Sequence, residues 1–505
     1  MRKLILASLT ISATLGARAV AQTRTDPAPR RSALAQRLDA LLDQPPFNRV
    51  SWGVYVAGEG GRTLYERNAD RLFVPASNTK LVVGAAATVL LPPDYRVRTG
   101  VYVHGELRDG IVHGDLVLYG RGDPTFSTRC YGLDTLALGA CDSAFTAIDR
   151  IADSIRARGV RRITGRIIGD GSYFEPVLVL PAWNVFDLNW WYAAPVSGLG
   201  FNDNSVDFSI TPGSAVDRPP LITWSPRLDL FTFENRARTV PPGSSTTIGD
   251  NFFRTPGTMD IWAEGTVAQG RRTFVESFAL PDPNRYAARA LAVSLERGGV
   301  AVEGGSIGTT DSLVTRAARC CGSPLFEYQG RPIGDLVFPI LNTSQNWFAE
   351  MLVKVLGREF RGEGSWDAGL DVERRFLIDS VGIDSTAFSL EDASGLAAGN
   401  LVSPRAFGQL LAFMARHPRR GPFLAALPRS GQLGSLLRRF IGTPLEGQVR
   451  AKTGSIDRVN TLSGYIERPG GRTLVFSIEA NAHAVSGRAI LARIDSVVVE
   501  IGKEK

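Results

Sequence analysis

Hydrophobic and polar positions alternate with different periods along this chain, and the changes of period divide it. Ala33 to Leu42 carries apolar residues at helical spacing. Val50 to Ala57 and Thr63 to Glu66 read as two strands, and the intervening Gly58-Glu59-Gly60-Gly61 makes them a hairpin. Leu81 to Leu91 is apolar all round but too short to span a bilayer, which predicts a buried central helix. From Tyr95 to Ser323 short strand-like runs (Arg98–Val103, Asp115–Tyr119, Arg162–Gly169, Val206–Thr211) alternate with Gly, Pro and Asp, predicting a largely β insertion. Helical spacing returns at Asp335 and continues through Trp347, Phe348, Met351, Leu352 and Val355, with Gly357 as the expected C-terminal cap. Ser403-Pro404 is an N-cap signal. Val449–Lys452, Thr461–Ile466 and Arg472–Ala480 predict three successive strands, and Ile490, Leu491, Ile494, Val497, Val498 and Ile501 one face of a closing helix.

The first residues change the picture of the ends. Arg2 and Lys3, an apolar stretch from Leu4 to Leu15 and Ala19-Val20-Ala21 together predict a cleaved signal peptide over 1–21 and an exported protein, the periplasm being the expected compartment. The net charge of +7 includes the positive residues of that segment. What remains is a mild basic excess with no Lys/Arg block, which argues against nucleic-acid binding. No transmembrane span is expected in the mature chain. At 505 residues it should fold as two or three domains. Of the four cysteines, Cys130 and Cys141 could close a short loop, whereas the adjacent Cys320 and Cys321 would form a strained bridge. Cysteines and the four histidines match no metal pattern, and no metal or other cofactor is expected.

Three short motifs carry candidate chemistry: Ser77-Asn78-Thr79-Lys80, Ser344-Gln345-Asn346 and Lys452-Thr453-Gly454. This trio, in this order, occurs in penicillin-binding proteins and class A β-lactamases. A serine hydroxyl needs a base before it can attack. At a helix start Ser77 and Lys80 share a face, so the amine reaches the hydroxyl. Alone, Ser77 could be a cap and Lys80 a solvated charge. Composition opposes that reading. Lysine occurs at only six positions, 3, 80, 354, 452, 503 and 505, while the remaining basic residues are arginine. Arginine serves equally on a surface but does not deprotonate. Ser344 stands where a helix is expected to begin, and taken alone a cap is its simpler reading. Lys452-Thr453-Gly454-Ser455 is placed at a strand end, where Gly454 would let a substrate backbone approach and Thr453 and Ser455 would offer hydroxyls to a carboxylate. Gly304-Gly305-Ser306-Ile307-Gly308 spells a nucleophile-elbow pattern but lacks a strand-to-helix context, and reads as a Gly-rich turn. The aromatic group Trp183, Trp190, Trp191 and Tyr192 could stack on a ligand, though packing of the insertion is the favoured reading.

The motifs, with the segments "GRGDPTF", "GRIIGDGSYF", "LNTSQNWFAEMLVKVLG", "DASGLAAGNLVSP" and "VRAKTGSIDRVNTLSGYI", resemble the D-alanyl-D-alanine carboxypeptidase/endopeptidase family of low-molecular-mass penicillin-binding proteins with a large insertion. The resemblance covers nearly all of the mature chain. It implies an α/β (α+β) transpeptidase/β-lactamase-like serine acyltransferase fold, an antiparallel sheet covered by helices and interrupted by inserted subdomains. The expected division is 22–96 with 324–505 as the catalytic domain, 97–122 with 210–323 as subdomain II, and 123–209 as subdomain III. It implies that Ser77 attacks the carbonyl of a penultimate D-Ala or a D-amino-acid crosslink, that Lys80 takes its proton, and that Ser344 with Lys452 protonates the leaving amine. Asn346 would orient the peptide. Lys452, Thr453 and Ser455 would receive the carboxylate, and amides of Ser77 and Ser455 the oxyanion. Partners would be peptidoglycan stem peptides and crosslinks, with β-lactams as covalent inhibitors. Asp170 matches an acidic position facing a diaminopimelate ammonium, or is a turn residue; both readings stand. Gln345, where the family often has Asn, and Ser430 to Leu436 depart from the family pattern and leave substrate preference open. A β-lactamase, a broader D-peptide or ester hydrolase and a non-catalytic penicillin sensor are the rival functions. No E-x-x-L-N segment is present to supply a class A deacylating Glu.

Overall fold

The computed structural model describes residues 32–58, 60–126, 143–255, 258–320, 322–468 and 471–504. The predicted signal segment, Cys130, Cys141 and Cys321 lie outside them. Among the described residues no helix is long and apolar enough to cross a membrane.

The body is a five-stranded antiparallel sheet. The opening hairpin gives β1 (Ser51–Gly58) and β2 (Thr63–Arg67), and the three late runs give β3 (Val449–Ile456), β4 (Val459–Glu467) and β5 (Thr473–Asn481). The order is β2-β1-β5-β4-β3, so residues some 400 apart in the chain pair as Ser51↔Asn481 through Gly58↔Leu474, and β3 is left at an edge. Because side chains alternate across a sheet, both faces are covered. On one face lie α1 (Ala33–Leu42) and the closing helix, here α7 (Gly487–Gly502), packed over Ala451, Leu462, Phe476 and Ile478. Ser32 caps α1 by accepting from the Ala35 amide, as the sequence pattern requires.

The other face carries α2 (Lys80–Leu90), α3 (Ile333–Asn342), α4 (Asn346–Arg361), α5 (Trp366–Arg375) and α6 (Pro404–Arg416). Lys80 to Thr88 of α2 are all buried, so this is the central helix expected from an apolar run with no polar face. Ser403 caps α6 through the Ala406 amide. Two boundaries differ from expectation. Helix α4 runs past Gly357 and ends at Gly362 in a left-handed cap. Gly357 is instead where α4 touches the Ser365 carbonyl and the Gly369 amide, too close for any Cβ. The Lys452-Thr453-Gly454 motif lies within β3 rather than at its end.

The insertion is largely β, as expected, with three α-helices among its described residues. A seven-stranded sheet, containing the long strands Arg96–Arg108 and Ile111–Tyr119, is covered by the helices Thr146–Ala157, Pro283–Arg297 and Ser312–Cys320. In the first of these, Ile148, Ile151, Ala152 and Ile155 keep helical spacing among charged residues and are all buried. The pairing also cuts across the expected subdomain boundaries. Arg162–Ile163 and Ile167–Asp170, placed in subdomain III, hydrogen-bond to Ile111–Tyr119, placed in subdomain II. Short strands between Ser205 and Ala279 form three further sheets around Phe208, Phe252 and Phe278, in one continuous core with the seven-stranded sheet. Trp190 packs into this aromatic core beside Phe252 and Phe278, and Trp183 packs edge-on against Trp366, so these two of the four aromatic residues serve packing. Ser306 begins a strand beside Ile167–Asp170 rather than standing on a turn from a strand into a helix.

Candidate active site

A short 3-10 turn, Ala76–Thr79, leads into α2 and holds Ser77 at its surface. The turn is tied to the sheet by three contacts. Thr461 Oγ1 donates to the Pro75 carbonyl at 2.9 Å, Asn78 Nδ2 donates to Ser463 Oγ at 2.7 Å, and Gly454 lies against the Ser77 amide. A Cβ on Gly454 would overlap Thr461 Oγ1 and stand 2.7 Å from the Pro75 carbonyl. Glycine is therefore required here for packing within the protein itself. Ala76 has φ 46°, a left-handed conformation unusual for a residue with a side chain. Its carbonyl occupies the space where Gly395, itself at φ 79°, would carry a Cβ.

Lys80 is fully buried, and its Nζ lies 2.9 Å from Ser77 Oγ, 2.7 Å from Asn346 Oδ1 and 2.6 Å from the Ser394 carbonyl oxygen. Burial lowers its pKa from 10.5 to about 7, against the opposing pull of Asp392 and Glu350. The second cluster is built the same way. Lys452, also fully buried, donates to Ser344 Oγ at 2.8 Å and to the Thr453 carbonyl at 2.7 Å. Burial, then the Lys80 charge, push its pKa well down. Ser344 does not begin the helix: it sits between α3 and α4 at φ 65°, and Gln345 caps α4 by accepting from the Trp347 amide at 2.9 Å. Gln345 is buried and reaches Asp203 in the insertion at 2.5 Å, so this departure from the family pattern faces away from the serine–lysine pair. Thr453 Oγ1 donates to Ser435 Oγ at 2.8 Å, and Ser455 is exposed.

The structure thus brings Ser77, Lys80, Ser344, Asn346, Lys452, Thr453, Gly454 and Ser455 together along β3. Asp170 is not among the groups that meet them. It is fully buried at the end of its strand, accepts from the Ser172 amide at 2.8 Å and the Thr315 hydroxyl, and pairs with Arg319 at 3.2 Å. A carboxylate with these partners holds the Ser312–Cys320 helix to its sheet. This corrects the expectation that it faces a substrate ammonium.

Several groups at the site were not singled out in the sequence. The Tyr192 carbonyl accepts from Asn346 Nδ2 at 2.7 Å, so the insertion orients the amide that meets Lys80. Glu350 accepts from the Ser394 amide at 2.7 Å and the Trp366 indole at 2.7 Å. Burial and Asp392 raise its pKa to about 7. Asp392 accepts from the Gly395 amide at 2.6 Å, the Ala397 amide at 2.7 Å and the Trp183 indole at 3.0 Å. Together they fix the turn whose Ser394 carbonyl holds Lys80. Asp-Ala-Ser-Gly is a turn signal in the sequence, but nothing local says that its carbonyl meets a lysine over 300 residues earlier.

Comparison with known proteins agrees with this arrangement. The model of the family described as D-Ala-D-Ala carboxypeptidase 3 (S13) matches residues 34–501. The D-alanyl-D-alanine carboxypeptidase of an Actinomadura species is 31% identical over 488 residues, covering 94% of this chain and 85% of that protein. Carboxypeptidase DacB of Mycolicibacterium smegmatis is 27% identical, covering 94% and 86%. The crystal structure of penicillin binding protein 4 (dacB) from Haemophilus influenzae superposes with a TM-score of 0.77 at 20% identity, covering 92% of this chain and 98% of that one. With a family model spanning nearly every described residue and a relative 31% identical over 94% of the sequence, the chain belongs to the D-Ala-D-Ala carboxypeptidase 3 (S13) family of serine peptidases.

Proposed function

We propose that the chain cleaves the terminal D-Ala from peptidoglycan stem peptides, and opens D-amino-acid crosslinks, through an acyl-enzyme on Ser77. The observation that carries this reading is the buried Lys80 amine 2.9 Å from Ser77 Oγ, with its pKa brought to about 7. Neutral Lys80 takes the Ser77 proton as Oγ attacks the carbonyl of the penultimate residue. Backbone N–H groups of Ser77 and Ser455 receive the oxyanion. Ser344, hydrogen-bonded to Lys452, passes a proton to the leaving amine, and the C–N bond breaks. Asn346 orients the peptide, while Lys452, Thr453 and Ser455 receive the terminal carboxylate. The proton on Lys80 is relayed back to Lys452, which has re-protonated Ser344, so Lys80 is neutral again; it takes a proton from the water that attacks the ester and hands it to Ser77 Oγ as the ester breaks. On the outer edge of β3 the backbone of Val449 and Ala451 is already paired with Ser430 and Pro428, which leaves the stretch from Thr453 to Ser455 for an extended peptide. β-Lactams, as mimics of D-Ala-D-Ala, acylate the same serine. Action on the cell wall fits export to the periplasm by the segment 1–21.

The test is labelling with a penicillin followed by peptide mapping. An adduct on Ser77 is expected; an adduct on Ser306, or none, overturns the assignment. Mass spectrometry of digested sacculi then reads loss of terminal D-Ala and opening of crosslinked dimers separately.

A further inference from the structure

Behind Ser455 runs a hydrogen-bonded chain that the steps above do not use. Ser455 and Asn460 are cross-strand partners on β3 and β4, and Asn460 Nδ2 lies 3.1 Å from Ser455 Oγ. On its other side Asn460 Oδ1 lies 3.0 Å from His483 Nε2, and His483 Nδ1 lies 3.0 Å from the Val485 carbonyl oxygen. Asn460 and His483 are buried, whereas Ser455 is exposed.

Proton counting gives this chain two states. The Val485 carbonyl can only accept, so Nδ1 carries a proton. In a neutral imidazole Nε2 is then an acceptor and needs the amide N–H of Asn460. That orientation turns Asn460 Oδ1 toward Ser455 and draws the serine proton inward. In an imidazolium Nε2 donates, the Asn460 oxygen faces it, and Asn460 Nδ2 donates to Ser455 Oγ. The Ser455 proton is then left to point outward. The structure has the second orientation of the amide.

We propose that His483 and Asn460 are positioning residues that aim the Ser455 hydroxyl at the terminal carboxylate of the substrate. A charged His483 presents a donor there and a neutral one withdraws it. The inference rests on the reading of Ser455 as a carboxylate-binding residue. Lys452 on the same strand is buried with its pKa pushed well down, and a rise in KM that came from its ammonium would survive the loss of Ser455. The other charged groups on the surrounding elements do not reproduce the switch. Asp457 and Arg458 in the β3–β4 turn are exposed and pair with each other at 3.7 Å, and Arg458 contributes only its backbone carbonyl, 3.5 Å from the His483 amide. Arg488 in the first turn of α7 is exposed. Glu479 on β5 is buried and accepts from Ser477, on the register of Thr461 rather than Asn460.

The experiment measures KM and kcat from pH 5 to 8.5 for a D-Ala-D-Ala peptide with a free carboxylate and for its C-terminal amide. Loss of one charge-assisted hydrogen bond corresponds to roughly tenfold or more. KM for the free acid should therefore rise roughly tenfold between the low and the high end of that pH range, with no such rise for the amide. Ser455→Ala should raise KM at low pH and abolish the rise, and adding His483→Leu to it should change nothing further. His483→Leu alone should also abolish the rise. A rise that survives Ser455→Ala, a rise shared by the amide, or no rise in the parent protein overturns the proposal. The comparison of parent with Ser455→Ala decides the matter even if His483→Leu does not fold. Absence of Ser77 acylation by penicillin in the parent protein is a separate result, and overturns the proposed function instead.

Discussion

Acylation should be controlled by the protonation of Lys80, and the structure sets both the sign and the size of the effect. A lysine at its ordinary pKa of 10.5 is neutral in only about three molecules in ten thousand at pH 7. With the pKa near 7, about half are neutral, a gain of roughly a thousandfold in competent base. The neutral form is the active one, so the acylation rate should climb as pH rises through about 7 and level off above it. Glu350, whose pKa is raised to about 7, titrates in the same window, and its charge stabilises the Lys80 ammonium. The climb should therefore be broader than a single-proton curve. Lys80→Arg keeps a positive charge but removes the base, and loss of positioned acid–base catalysis costs ~10²–10⁴-fold. The assay is the second-order rate of labelling by a fluorescent penicillin between pH 5 and 9, with circular dichroism to confirm folding. A rate independent of pH, or parental labelling by Lys80→Arg, refutes the role of Lys80 as base.

Other consequences follow from particular contacts. Gly454→Ala drives a Cβ into Thr461 and the Pro75 carbonyl, so it should destabilise by ~1–3 kcal/mol and slow penicillin labelling; unchanged melting and labelling would show that the turn yields freely. Asp170→Asn breaks a buried ion pair with Arg319 and should cost about 3 kcal/mol, with equal changes in kcat/KM for diaminopimelate-containing and simple acetylated peptides. A selective loss on the former would restore Asp170 to the substrate site. Glu373 on α5 is fully buried, no protein group among the described residues bonds its carboxyl oxygens, and burial holds its pKa well above 4.5. Its folded form keeps a proton that the unfolded form has lost, so it costs stability increasingly as pH rises above about 4.5. Glu373→Met should raise the unfolding free energy, by ~1–3 kcal/mol near neutral pH and by less at pH 4; a denaturation series at the two pH values reads the difference.

The body of the fold was legible because its elements carry strong local signals. Helix α1 keeps the residues that its spacing assigns, and the three late strands lie within two residues of their predicted starts. The rarity of lysine proved informative beyond the motifs. Lys354, the remaining internal lysine, is also fully buried; its ammonium pairs with Glu175 at 3.2 Å and lies 3.4 Å from the centre of the Trp366 ring. Compact ammonium groups were kept where the interior needs them. What the sequence hid is long-range. The helix Thr146–Ala157 has helical spacing, but in a stretch punctuated like strands that period is easily overlooked. The family resemblance offered Asp170 as a recognition carboxylate beside the turn reading suggested by its glycine neighbours, while Arg319 and Thr315, nearly 150 residues away, take its oxygens. Tyr192 acts through its backbone carbonyl, which no side-chain pattern can reveal.

The two lysine clusters are separate in hydrogen bonding but coupled in charge, and that coupling suits the proposed cycle. Lys80 bonds Ser77, and Lys452 bonds Ser344. Each ammonium is fully buried, and the Lys80 charge lowers the Lys452 pKa further. A proton arriving on Lys80 as Ser77 attacks therefore makes a proton on Lys452 less stable. The Lys452 ammonium is hydrogen-bonded to the hydroxyl that would protonate the leaving amine. Charging the base thus strengthens the acid at the moment it is required, without any movement of the backbone. The carboxylates that temper this repulsion, Glu350 and Asp392, lie behind the Ser394 turn and do not bond either lysine directly. Had one of them formed an ion pair with Lys80, the opposite charge would have favoured the ammonium and removed the base. Their placement one turn of chain away holds the amine in position through a neutral carbonyl while leaving its proton affinity low.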